Sequence, residues 1–369
     1  RVYKIINVKN MYEGSKIDYD SLTLIDIGEN EFLCNKVELG DIFFTRSSLV
    51  KEGIAVSNIF LEDKNDVTYD GHLIRMRPTD EINPLFAALS LRTSHNRKQI
   101  ISRGKTATMT TIGQEDLASV KMNFPSLPEQ QKIADFLGAV DGRIEGLRRK
   151  KELLETYKKG LMQQIFSQQI RFTDQNGHPF PDWEEKRLGD VAVRSTVKNS
   201  DELINEVLTN SAVEGVVSQR DYFDKDIATQ GNLQNYYIVD LDDFVYNPRI
   251  SVNARVGPIK RNKLGKGVMS PLYSIFRFEE GVLTFYEKYF ATSFWHQYMN
   301  AVANFGARHD RMNVTVEDFF NMPVPFPSLP EQQKIADFLG SVDSKIDLAT
   351  RQLEQAEAFK KGLMQKMFV

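Results

Sequence analysis

Apolar residues recur at alternating steps of four and three along one stretch of the chain: Val140, Ile144, Leu147, Leu154, Leu161 and Ile165, with Lys151 and Lys158 at two seam positions. A period of 3.5 residues predicts a coiled-coil helix. The same seam returns at Val342, Ile346, Ala349, Leu353, Ala356, Lys360, Leu363 and Met367, where small Ala349 and Ala356 complement the bulkier Leu147 and Leu154. Each seam follows a helix-start signal, Ser126-Leu127-Pro128-Glu129-Gln130 in the first case, with Pro in the first turn and an acid beside the positive end of the dipole. Ile133, Phe136, Leu137 and Val140 form a leading apolar stripe. Gly138 marks a break, so two helices are expected in each tail. Shorter β-branched and aromatic runs predict strands at Val2–Val8, Leu22–Ile27, Asp41–Phe44 and His72–Met76, and again at Tyr236–Val239, Phe244–Asn247 and Leu272–Phe278. Helices are expected at Pro84–Arg92 and Tyr286–Met299, and a loop at 172–187.

The two tails are copies. FPSLPEQQKIADFLG stands unchanged at Phe124–Gly138 and Phe326–Gly340, and at a fixed offset of 202 residues 124–167 match 326–369 at 28 of 44 positions. The offset persists weakly upstream, so the chain is a duplicated unit: a variable domain, then a near-invariant helical tail. The expected divisions are 1–123 and 168–325 for the two variable domains, with 124–167 and 326–369 as the central and distal helical regions. This is an α+β class: two mixed α/β modules joined by two long helices that pair as an antiparallel coiled coil, with a pseudo-two-fold internal repeat. The second copy opens with FPDWEEKRLGDVAV and nothing comparable precedes the first, which leads to an expectation of about 35 residues before Arg1 (158 residues between the tails, less the 123 before the first). From Val140 to Ile165 is about 38 Å at helical rise, close to one turn of B-DNA at about 34–36 Å. The rod would serve as a ruler.

Charge sharpens the picture. The chain of 369 residues carries a net charge of −3, which excludes an indiscriminate polyanion binder. Yet no acid falls between Glu81 and Glu115, or between Asp243 and Glu279, while both windows are rich in Arg and Lys. Two basic windows in a slightly acidic chain imply two local electrostatic footprints on double-stranded DNA. The candidates in the first domain are Arg46, Arg92, Asn96, Arg97, Lys98, Arg103 and Lys105. In the second they are Arg249, Asn253, Arg255, Lys260, Arg261, Lys263, Lys266, Arg308, His309 and Arg311. Arg forks onto guanine and Asn onto adenine, while Lys favours phosphate. The single cysteine, Cys34, fits a reducing cytosol and is expected as a half-buried strand residue.

Catalytic motifs fail on geometry. Pro181-Asp182-Trp183-Glu184-Glu185-Lys186 has the letters of a PD…(E)xK nuclease, but the groups crowd into six residues instead of converging from neighbouring strands. Asn83-Pro84-Leu85-Phe86 approximates an amino-methyltransferase loop without a glycine-rich cofactor turn. The five histidines show no zinc spacing. No active site and no metal site are expected.

LPEQQKIA at 127–134 and 329–336, followed by KKGLMQ at 158–163 and 360–365, makes the chain resemble the specificity subunit of bacterial type I restriction–modification systems over essentially its whole length. The resemblance implies a cytoplasmic, nucleoid-associated protein with two target-recognition domains, each reading half of a split DNA site. It implies as partners two modification subunits, together with restriction subunits that act as ATP-dependent motor and nuclease, and no membrane. S-adenosylmethionine, Mg and ATP belong to those partners, with no cofactor held by this chain. Ile144, Leu147, Leu154, Leu161, Ile165, Ile346, Ala349, Leu353, Ala356, Leu363 and Met367 then form the coiled-coil and partner interface.

Overall fold

The computed structural model describes residues 1–222, 233–304 and 310–368. It divides into two compact units, one of Arg1–Glu152 with Asp347–Val369 and one of Leu153–Ile346.

In the first unit β1 (Val2–Ile6) pairs antiparallel with β2 (Thr23–Asp26), and α1 (Glu29–Asn35) follows. Cys34 lies on this helix and is exposed, where a half-buried strand residue was expected. β5 (Val67–Tyr69) joins β1 in parallel, while the apolar strand β3 (Ile42–Thr45) sits between β4 (Ser57–Ile59) and β6 (Leu73–Met76), both antiparallel to it. Two helices cover the sheet: α2 (Pro84–Leu91), started by the Asn83 side chain and by Pro at its first turn, and α3 (Ser94–Arg103), capped by Thr93. Their Ala87, Ala88, Leu91 and Ile100 meet Ile42, Phe44 and Ile74 in one core.

The second unit repeats this plan with heavier side chains. The long α4 (Leu127–Phe166) starts in the first unit and ends in this one. Then come β7 (Glu184–Arg187) and β8 (Ala192–Ser195); β7 occupies part of the stretch expected to be loop. A four-stranded sheet runs in the order β8, β11 (Ser274–Phe278), β9 (Phe244–Tyr246), β10 (Ile259–Arg261). Against it lie α5 (Leu283–Phe290) and α6 (His296–Val302), where one helix over Tyr286–Met299 was expected. The interruption buries Trp295, which is 2% exposed and donates its indole N–H to the Phe290 carbonyl at 3.2 Å. A buried indole needs such an acceptor, and the free carbonyls at the end of α5 supply it. β12 (Pro323–Phe326) pairs with β7, and α7 (Leu329–Met367) closes the chain.

Each tail is one helix rather than two. Gly138 lies inside α4 without breaking it; a Cβ there would stand 3.3 Å from Leu85 Cδ2 of α2. Phe136, expected in the apolar stripe, is 46% exposed.

Within each unit a stretch of α4 lies beside a stretch of α7. In the first unit Asp141 meets Lys360 at 2.5 Å and Arg148 meets Glu357 at 2.9 Å, so one number rises as its partner falls and the helices are antiparallel. In the second unit Lys158 meets Asp343 at 2.5 Å, and Lys288 of α5 joins the same carboxylate. Asp141 and Asp343 are repeat equivalents, as are Lys158 and Lys360 (343 − 141 = 360 − 158 = 202). The two seam lysines therefore make the same bond reciprocally. No seam residue is exposed: Ile144 and Ala349 are buried and Leu147, Leu353, Ala356, Leu363 and Met367 half-buried in the first unit, while Leu161 and Ile165 are buried and Leu154 and Ile346 half-buried in the second.

The invariant motif has a positional purpose. Gln130 donates to the Pro125 carbonyl (2.9 Å) and accepts from the Asn83 N–H (2.9 Å). Its equivalent Gln332 donates to the Pro327 carbonyl and accepts from the Val282 N–H, both at 2.8 Å. Both glutamines are buried. Gln332→Ala strands the buried Pro327 carbonyl and the half-buried Val282 N–H. It is expected to lower stability by about 2 kcal/mol, read as a lower urea midpoint with an unchanged slope.

Candidate nucleic-acid interface

Between β9 and β10 the chain leaves the sheet as a hairpin. Ser251 and Ala254 exchange backbone hydrogen bonds at 2.9 and 3.1 Å, which leaves Val252 and Asn253 at the tip. The base is tied to residues 310–312, Ile250 N–H to the Asp310 carbonyl (3.0 Å) and Met312 N–H to the Pro248 carbonyl (2.8 Å). Gly257 permits the return: its φ is +79°, and a Cβ would collide with the Asn247 carbonyl oxygen. On this braced ribbon Arg249, Asn253 and Arg255 are exposed, and their side chains find no partner among the described residues. A tight turn carrying two arginines and an asparagine presents a donor set suited to base edges in a major groove.

Arg261, Lys263 and Lys266 are ion-paired instead. Arg261 binds Asp242 at 2.7 Å and lies 3.5 Å from Glu287, Lys263 binds Glu287 at 2.5 Å, and Lys266 lies 3.6 Å from Asp240. Arg311, three-tenths exposed, is 3.6 Å from Asp310. Burial pushes the Lys260 ammonium below its ordinary value despite the nearby Glu287. Arg308 and His309 lie outside the described residues.

In the first unit the basic window is chiefly structural, which corrects most of its candidates. Arg92 points inward, donating to the Ser57 carbonyl (3.2 Å) and to Asn58 Oδ1 (2.8 Å), and burial lowers its pKa. Arg97 wraps the carbonyls of Ala55, Glu52 and Ile54 at 2.8–2.9 Å, again with a pKa lowered by burial. Buried Asn96 donates to the Ser90 carbonyl and hydroxyl. Arg103 holds the Ser119 hydroxyl at 2.6 Å, and Lys105 pairs with Asp116 at 3.1 Å. The Gly113 N–H and then Lys105 keep that carboxyl below its usual range. Arg46 is exposed with one bond to the Gly71 carbonyl, and Lys98 is exposed with no partner among the described residues. The repeat offset carries Arg249–Arg255 onto Ser47–Gly53. There Val50 (60% exposed) and exposed Lys51 occupy the corresponding tip. The 202-residue offset adds Lys51, which composition alone did not single out, to the candidates.

Among the described residues no group of three or more His, Cys, Asp or Glu is placed to hold a metal ion. None of their helices is long and apolar enough to cross a membrane.

Comparison with known proteins adds a family. The model of the type I restriction modification DNA specificity domain matches residues 2–156 and 181–358. Two proteins of Methanocaldococcus jannaschii align over 98% of this chain. One, named as a candidate type I restriction enzyme MjaX specificity subunit, is 24% identical with 85% of its length covered. The other, the type I restriction enzyme MjaVIII specificity subunit, is 23% identical with 84% covered. The crystal structure of a type I restriction-modification S subunit from M. genitalium shares the fold, with a TM-score of 0.55 at 15% identity over 100% of this chain and 88% of that one.

Proposed function

Because this chain belongs to the type I restriction modification DNA specificity domain family, we propose that its two units each read one half of a bipartite DNA target and that the paired helices set the distance between the halves. DNA sequence specificity follows from the family; the division of labour is our reading. The observation that supports it most is the unpartnered Arg249–Asn253–Arg255 ribbon, recurring by position, though not by sequence, in the Ser47–Gly53 loop. In this reading the chain has no catalytic step of its own. It presents DNA to modification subunits, which supply S-adenosylmethionine, and to restriction subunits, which supply ATP-driven motion and cleavage. Tyr157 and its repeat equivalent Phe359, 55% and 57% exposed, offer matching aromatic contacts for two copies of a modification subunit.

The spacer role is tested by lengthening. One heptad inserted into both α4 and α7 keeps the seam in phase and adds about 10 Å, or about 3 base pairs. The gap in the methylated motif, mapped by single-molecule sequencing of a host genome, is expected to widen by that amount. An unchanged gap would remove the helices from any role in spacing.

A further inference from the structure

The turn that carries Arg249, Asn253 and Arg255 exists in both copies. In the second unit the Asn247 N–H donates to the Pro258 carbonyl (3.0 Å), and in the first the Thr45 N–H donates to the Val56 carbonyl (3.1 Å). Both pairs are related by the offset of 202. Each return passes through a left-handed residue, Gly257 at φ +79° and Ala55 at φ +49°. An alanine rarely adopts that conformation, so the turn keeps its shape even where no glycine eases it. A later segment braces each base: residues 310–312 in the second unit, and Thr110–Thr111 against Ser47–Ser48 in the first.

On this common frame the side chains diverge. Ser47–Gly53 reads SSLVKEG and Arg249–Arg255 reads RISVNAR, and of the seven positions only the fourth is shared. That residue is a valine, Val50 or Val252. It stands at the tip in both copies, 60% and 96% exposed, and belongs to no core cluster. Packing within the fold therefore does not account for its recurrence. Leu49, 86% exposed, adjoins Val50 and enlarges the apolar tip of the first unit. A β-branched side chain is nearly fixed at χ1, so little ordering entropy opposes a contact made by it. Polar or cationic side chains, Asn253 and Lys51, come next in each tip. Along the base edges of a major groove, the apolar group on offer is the C5-methyl of thymine.

We propose that Val252 and Val50 are specificity-determining residues, each packing on the C5-methyl group of one thymine in the half-site that its unit reads. The assignment rests on the division of labour proposed above. It adds to that reading a check for a methyl group, which hydrogen-bond donors alone cannot make.

The test uses the complex of the full chain with its modification subunits and a duplex carrying the mapped motif. Each thymine of the motif is replaced in turn by deoxyuridine, which removes only the methyl group. One replacement in each half is expected to weaken binding about fourfold, the effect of one buried methyl group. Val252→Ala should abolish that penalty in one half alone and Val50→Ala in the other alone, both with the wild-type urea midpoint. Deoxyuridine without effect at every position would overturn the proposal, as would a penalty in either half that survives both alanine variants. Weaker binding by the variants with no deoxyuridine effect would do so too, because the valines would then act as wedges between base steps. Arg255→Ala in the same assay separates two levels of failure. If it still relaxes one half-site, only the thymine contact falls; if it too leaves specificity untouched, the half-site reading falls with it.

Discussion

Asp343→Ala is expected to lower the stability of the second unit by about 3 kcal/mol. Two cations converge on this one carboxylate: Lys158 from the facing helix and Lys288 from α5, the latter side chain only 11% exposed. Neither lysine has another partner among the described residues. Truncation therefore leaves two partly desolvated charges, and the repulsion between them, where a compensated site stood. Burial alone would raise the Asp343 carboxyl, but the hydrogen bonds from Lys158 and Lys288 outweigh it and hold the group below its ordinary value. A carboxyl depressed in the folded state contributes fully above the unfolded value near ~3.9. That contribution is lost as pH falls through the folded value. The difference between wild type and Asp343→Ala should accordingly be flat from pH 6 to 8 and shrink below about pH 4. Denaturant titrations at a series of pH values measure both. A difference under 0.5 kcal/mol at neutral pH, the scale of an exposed pair, would mean the lysines simply reach solvent.

The second large effect concerns recognition. Arg255→Ala is expected to cost about 1–3 kcal/mol in binding at the half-site read by the second unit, and to relax the preference for one base there while the other half-site keeps its specificity. The salt dependence distinguishes roles. A base contact changes specificity, whereas a phosphate contact weakens all sequences alike and reduces the salt slope by about one. Arg97→Ala is the informative control. Its guanidinium is committed to three carbonyls within the first unit, so it should lower stability and leave base preference unchanged. Methylation mapping with each variant, in the assembled complex, reads the outcome directly. Uniform weakening by Arg255→Ala would reassign that residue to the backbone.

The contrast between these two arginines marks where sequence reasoning stops. Both stand in acid-free windows, and composition treats them alike. What separates them is the partner, and the partners are far along the chain: Arg97 bonds Ala55, 42 residues away, and Arg92 bonds Ser57, 35 away. Missing acids do not make a surface, because backbone carbonyls can accept the guanidinium N–H groups and hold the side chain against its own domain. The seam residues were legible for the opposite reason. A heptad is local, and none of the eleven interface positions chosen from periodicity is exposed. The seven strand segments were likewise found, with ends shifted by a residue or two, as expected where apolar runs are short and bounded. Helix continuity was less legible. A glycine costs about 1 kcal/mol inside a helix, so Gly138 reads as a break, yet α4 runs through it.

The way Gln130 and Gln332 hold their neighbours reaches beyond stability. Each grips its neighbour through main-chain N–H and C=O groups, which every polypeptide offers regardless of its side chains. A coupling of that kind is indifferent to what is plugged into it. A different recognition module spliced onto an unaltered stalk is therefore expected to change the address that is read while leaving the socket untouched.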